Sequence, residues 1–220
     1  MHFLCLHGLG TNNHVFQTQT ATIRYDMDKH HTFEFVEGTE VMPIAIEIAG
    51  HYPSGDTYFG YYTSDSESIL QALDRLEVYI AEEGPFDGAI GFSQGATLLS
   101  TYLIKLGREQ PGRIPPFRCA IFFSAAQPHD IIALADGVLK GVEPDAEGPL
   151  IRLPTAHMWG HKDTTYRTES EILCSMCEPS LRDTYVHGQG HEIPGPRAKE
   201  DVQFCLRTIR RTIDKAAVEH

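Results

Sequence analysis

An α/β fold, with a mostly parallel sheet of about six strands and helices on both faces, is what this sequence predicts. Three observations carry it. Short apolar runs rich in Phe, Ile, Val and Cys recur along the chain, stretches with helical periodicity separate them, and polar loops rich in Gly and His follow several of the runs. The strand candidates are residues 3–6, 32–36, 88–91, 119–123, 155–159 and 184–186. The strongest helix signal lies between the second and third of these. Ser64 and Glu67 have capping-box spacing, Ile69, Leu73, Leu76 and Ile80 repeat on one face, and Gly84-Pro85 ends the run. A last helix starts near Pro196 and aligns Val202, Leu206, Ile209 and Ile213. Both stripes read as core.

Length and composition narrow the class. A chain of 220 residues with 41% hydrophobic residues fits a single domain that buries roughly 70% of its unfolded surface. Five scattered cysteines suggest reduced thiols and a cytoplasmic protein. Cys174 and Cys177 have C-x-x-C spacing but no second such pair, and Ile172, Leu173 and Met176 around them read as a buried helix face. The sequence enters a strand almost at once, without a charged leader, and no apolar run reaches the roughly 18 residues of a membrane span. A net charge of −12 argues against a nucleic-acid partner. Residues 26–87 hold 14 acidic side chains against Lys29 and Arg75, and most of this charge reads as solvated surface. Locally basic stretches remain at Lys105, Arg108, Arg113 and Arg118, and at Arg197, Lys199, Arg207, Arg210, Arg211 and Lys215. Two segments, 49–65 and 127–149, break the strand-helix rhythm and are expected to be irregular, functional loops.

The chemistry centres on Gly91-Phe92-Ser93-Gln94-Gly95, a G-x-S-x-G placed after a strand pattern and before a helix pattern. A serine hydroxyl is a weak nucleophile at neutral pH and needs a positioned base, which in turn needs an orienting carboxylate. Asp163 and His191 each follow a later strand, so the chain order Ser, acid, His is that of α/β-hydrolases. His187 is a possible alternative base, but it sits at the strand end, whereas a Gly-x-Gly before His191 suits a loop that must reach Ser93. Asp183 is too close to His191 in sequence to serve as the acid. His157 and His161 lack the carboxylate-His pattern of a zinc enzyme and read as structural. Oxyanion donors are expected at the N–H of Gln94 and at the loop after the first strand, where Leu9 follows His7-Gly8. Gly8 and Gly10 do not make a dinucleotide fingerprint, because Asn13 stands where the third glycine belongs.

"FLCLHGLGTN", "GPFDGAIGFSQGA", "GHKD" and "GQGHEIP" together resemble the FSH family of serine hydrolases, small fungal relatives of acyl-protein thioesterases and carboxylesterases. The resemblance spans nearly the full length. It implies Ser93 as nucleophile, Asp163 as acid and His191 as base of an esterase or thioesterase that works through an acyl-enzyme and needs no metal or organic cofactor. Some members suggest a role in secondary metabolism, releasing a polyketide chain from an acyl carrier protein. Non-hydrolytic ring closure in the same pocket, a housekeeping carboxylesterase and a non-catalytic binding module remain as alternatives. Tyr58, Phe59, Tyr61 and Tyr62 are candidate substrate-binding residues, as a lid presenting aromatic faces to an acyl chain; packing onto the domain is the plainer reading. An acidic carrier protein would have to dock on a basic stretch, and 105–118 is expected because it follows the nucleophile helix.

Overall fold

The computed structural model describes residues 1–27, 29–144 and 148–218. Six parallel strands form the main sheet, β1 (His2–Leu6), β2 (Thr32–Val36), β5 (Gly88–Phe92), β6 (Cys119–Phe123), β7 (Thr155–Gly160) and β8 (Arg182–His187), in the order β2-β1-β5-β6-β7-β8. These are the six expected strands, with ends that agree to within two residues. A further pair, β3 (Glu40–Met42) and β4 (Tyr58–Gly60), makes a small antiparallel ribbon. Three-residue strands carry too little periodicity to be read from sequence.

Alternation along the strands builds two cores, because successive side chains point to opposite faces. Leu4, Leu6, Ala89, Ala120 and Phe122 face one side, where they meet α2 (Ser66–Glu83), α3 (Gln94–Glu109) and α5 (Arg167–Ser175). Phe3, Cys5, Ile90, Ile121, Phe123 and Met158 face the other, against α1 (Asn13–Asp26) and α6 (Lys199–Val218). Full burial of a leucine or phenylalanine here contributes about 1.5–3 kcal/mol. The stripes of α2 and α6 lie in these cores, with Ile80 and Ile213 only partly buried.

One local expectation shifts. The cap of α2 is Asp65, not Ser64: its carboxylate accepts the Ser68 N–H at 2.8 Å and also the Thr63 hydroxyl, while the Thr63 N–H donates to Ser68 Oγ at 2.9 Å. A carboxylate is a stronger acceptor than a hydroxyl, and the box closes one residue later.

The two irregular segments also hold regular structure. β4 lies inside 49–65, and the short α4 (Ile131–Ala135) lies inside 127–149, of which 145–147 fall outside the described residues. Among the described residues, no helix is long and apolar enough to cross a membrane.

Candidate active site

The parallel register aligns the C-terminal ends of the strands along one edge, with Leu6 beside Gly91, Gly91 beside Phe122, and Gly160 beside His187. Loops leaving these ends meet above the sheet, as expected for an open α/β sheet. β5 runs into a turn at Ser93 with φ 52° and ψ −119°, a left-handed conformation that costs about 1–3 kcal/mol in a non-glycine residue. The neighbours must be glycine. A β-carbon at Gly91 would lie 2.5 Å from Ala96 Cα, and one at Gly95 would collide with the Leu6 carbonyl. The turn is anchored by the Ser93 N–H, which donates to the Phe123 carbonyl at 2.9 Å, and it presents Ser93 at the N-terminus of α3.

The structure brings Ser93, Asp163 and His191 together. His191 Nδ1 lies 2.7 Å from Asp163 Oδ2, and His191 Nε2 lies 3.0 Å from Ser93 Oγ. A carboxylate accepts at Nδ1, so the ring proton belongs there and Nε2 is free to accept from the serine hydroxyl. Asp163 is held by its own turn: Oδ1 accepts the N–H groups of Thr165 at 3.1 Å and Tyr166 at 2.9 Å, and the residue is 2% exposed. The loops carrying the acid and the imidazole are stitched together by His161 N–H to the His187 carbonyl at 2.7 Å and Lys162 N–H to the Gln189 carbonyl at 3.0 Å. Two aromatic rings flank the imidazole, Phe92 at 5.1 Å and Tyr166 at 4.7 Å between centroids. Tyr166 was not legible in the sequence; its only signal is its place three residues after the acid, in the turn that the carboxylate caps.

The competing residues lie elsewhere. His187 is fully buried, desolvation pushes its pKa down to about 4, and its Nδ1 lies 3.4 Å from the Gln189 N–H. Asp183 pairs with Lys215 at 2.8 Å and Arg211 at 3.1 Å beside α6. His157 stacks on Phe122 and bonds Thr155, while His161 contacts Arg167, so the two do not converge. Burial raises the pKa of both Cys174 and Cys177.

The loop after β1 comes against the Ser93 turn: a β-carbon on Gly8 would sit 3.4 Å from Ser93 Cβ. Gln94 is the first residue of α3, where a backbone N–H has no intrahelical partner. Among the described residues, neither its N–H nor that of Leu9 is paired with a protein acceptor.

The aromatic segment does not form one lid face. Tyr58 packs on Val15 and Ile48 and donates to the Pro53 carbonyl at 2.6 Å. Phe59 lies on the opposite face of β4, in register with Val41. Tyr61 is buried, lies with its ring tilted against that of His7 at 4.8 Å between centroids, and has its hydroxyl bonded on both sides by backbone groups. Tyr62 meets the edge of the His129 ring at 5.5 Å between centroids, and its carbonyl accepts from Gln94 Nε2 at 2.8 Å. This side-chain role of Gln94 was not legible in the sequence.

The basic stretch 105–118 lies away from the site. Ser93 precedes the first turn of α3 and Lys105 sits in its last turns, a separation of roughly 18 Å at 1.5 Å per residue. Lys105 is paired with Glu77 and Glu109, both at 3.2 Å. A cleft of about 630 Å³, lined by Leu106, Arg113, Phe117 and Arg152 among others, opens at that remote end.

The family model described as "Serine hydrolase (FSH1)" matches residues 1–203. "Esterase FPY3" of Fusarium mangiferae is 39% identical over 221 residues, covering 99% of both chains. "Hydrolase phiM" of a fungal species is 33% identical over 204 residues, covering 88% of this chain and 86% of that one. Arabidopsis thaliana SOBER1 superposes with a TM-score of 0.61 at 16% identity, covering 97% of this chain and 99% of that one. A carboxylesterase from Mesorhizobium loti gives 0.58 at 19% identity, covering 92% and 87%. At such identities the two structures speak for the α/β-hydrolase fold alone. With the family match running over most of its length, the chain belongs to the FSH1 serine hydrolase family and is an esterase-type hydrolase.

Proposed function

We propose that Ser93 is the nucleophile, His191 the general base and Asp163 the orienting acid of an ester or thioester hydrolase that works through an acyl-enzyme. The observation that carries this reading is the pair of bonds made by His191, 2.7 Å to Asp163 and 3.0 Å to Ser93. Such a ring takes the serine proton through Nε2 as the hydroxyl attacks the carbonyl, and returns it to the departing alcohol or thiol. Water then enters, loses a proton to the same nitrogen, and releases the acid. The oxyanion formed in both halves lies between the N–H groups of Leu9 and Gln94, neither of which is paired with a protein acceptor among the described residues.

The substrate is an acyl ester or thioester, and the finer assignment is a polyketide-type chain in fungal secondary metabolism. Its support is the family resemblance and the fungal relatives. A carrier-bound thioester would have to be delivered at the C-terminal edge of the sheet. The 105–118 stretch does not serve that edge, which removes the electrostatic argument for docking there.

The test is a series of p-nitrophenyl esters and N-acetylcysteamine thioesters of increasing chain length, with products weighed by mass spectrometry. Hydrolysis gives the free acid, and Ser93→Ala lowers the rate by about 10⁵–10⁶. A product that retains every substrate atom but those of water, formed equally by Ser93→Ala, would replace hydrolysis with ring closure.

A further inference from the structure

The loop after β1 is held by an unusually dense set of bonds, and they converge on one peptide. The Gly8 carbonyl accepts from the Thr11 hydroxyl at 2.6 Å and lies 2.8 Å from His7 Nδ1. The Gly38 N–H donates to His7 Nε2 at 2.9 Å, so the ring proton sits on Nδ1 and points at Gly8. Glu37 Oε1 lies 3.1 Å from the same Nε2. In a trans peptide the C=O and N–H point in opposite directions. Drawing the Gly8 oxygen inward towards His7 and Thr11 therefore turns the Leu9 N–H outward, away from that buried cluster.

A second set of bonds ties this loop to the other donor. The His7 N–H donates to the Tyr61 hydroxyl at 2.8 Å, and that hydroxyl donates to the Val36 carbonyl at 2.9 Å. Burial pushes the phenol well above its usual range, which keeps it protonated. The backbone of the same segment is gripped by Gln94: the Tyr61 N–H donates to Oε1 at 2.8 Å, and Nε2 donates to the Tyr62 carbonyl at 2.8 Å. Gly60 allows this close approach, since a β-carbon there would lie 2.7 Å from Leu9 Cδ1 and 2.9 Å from Gln94 Oε1. One short segment thus touches the loop of Leu9 through a side chain and the residue Gln94 through its backbone.

We propose that Tyr61, Thr11 and the Gln94 side chain are positioning residues that fix the Leu9 and Gln94 N–H groups relative to each other as a preorganised oxyanion site. This rests on the assignment of those two groups as oxyanion donors. It assigns Tyr61 to the transition state and not to the acyl chain, and the two roles differ in a measurable way. Preorganised donors act only where charge develops, so their misplacement lowers kcat and leaves KM. A lid residue loses more with longer chains.

The experiment compares Tyr61→Phe, Thr11→Val and Thr11→Ser on p-nitrophenyl acetate and p-nitrophenyl decanoate. We expect Tyr61→Phe and Thr11→Val to lower kcat about 10-fold, by the same factor on both esters, with KM changed less than about 2-fold, and Thr11→Ser to stay near the parent; complete removal of an oxyanion donor costs about 10²–10³. A trifluoromethyl ketone, which forms a charged tetrahedral adduct, should bind more weakly by the same factor. If Tyr61→Phe does not fold, Gln94→Met cuts the same tie from the other side and keeps the backbone N–H. Unchanged kcat, or a loss that grows with chain length, overturns the proposal. Ser93→Ala, run in parallel, separates this from failure of the underlying mechanism: activity surviving there defeats the nucleophile assignment whatever the other variants do.

Discussion

Asp163 shows how much a single buried side chain has to do. Its two oxygens have separate tasks, one accepting from His191 and the other closing its own turn through the N–H groups of Thr165 and Tyr166. Asp163→Asn keeps the shape but offers an amide where the imidazole N–H needs an acceptor, favouring the wrong tautomer. We expect kcat to fall by about 10⁴ with little change in melting temperature; steady-state kinetics with circular dichroism checks it, and a loss under 10-fold would remove Asp163 from the triad. At this scale the sequence was informative because the proposed chemistry restricts residue type and chain order, so Ser93, Asp163 and His191 could be expected to meet before any geometry, and they lie within hydrogen-bond distance of one another. Tyr61, Tyr166 and the Gln94 side chain could not be. An aromatic near a glycine looks the same in sequence whether its hydroxyl meets substrate or, as for Tyr61, the backbone of His7 and Val36.

Elements were legible in proportion to their length and periodicity. α2, with 18 residues and a strong apolar stripe, was readable to within two residues at its start; the three-residue strands β3 and β4 were not, since their pairing is long-range and their alternation too short to register. The stripe is also where stability is concentrated. Leu73 is fully buried, and Leu73→Ala is expected to cost about 2–5 kcal/mol in urea unfolding while leaving kcat of the folded fraction within about 2-fold. Gly95→Ala should behave in the opposite way. Its β-carbon meets the Leu6 carbonyl, a backbone atom that cannot step aside, so the β5-α3 turn must open. We expect activity to fall at least about 100-fold, the cost of losing one oxyanion donor. Near-parent turnover by Gly95→Ala would mean that the tight turn is dispensable.

Across the molecule, the buried histidines His157 and His187 contribute to the response to acid. Desolvation holds His157 at about 3 and His187 at about 4, against an ordinary value of 6.5. Between those values and 6.5 the unfolded chain binds more protons than the folded one, so stability is full above pH 6.5 and declines as pH falls through that window. His157→Phe should flatten the decline by about 1.4 kcal/mol per pH unit, one proton's worth, in urea titrations between pH 4.5 and 6; an unchanged slope would contradict the assignment. The thiols make a parallel case. Cys119 and Cys205 are raised to about 12 by burial, and all five cysteines are buried, so iodoacetamide at neutral pH should label them only after unfolding. The cations of the basic stretch each have a carboxylate neighbour, Lys105 at 3.2 Å and Arg108, Arg113 and Arg118 at 3.8–3.9 Å, and Lys105 and Arg108 lie in the last turns of α3, away from Ser93. The central claim concerns which hydroxyl becomes acylated, and covalent capture tests it most directly. Incubation with a fluorophosphonate followed by peptide mass mapping should give one adduct, on Ser93, and none in His191→Ala; an adduct on another residue, or full labelling of Ser93 without the imidazole, would contradict the account.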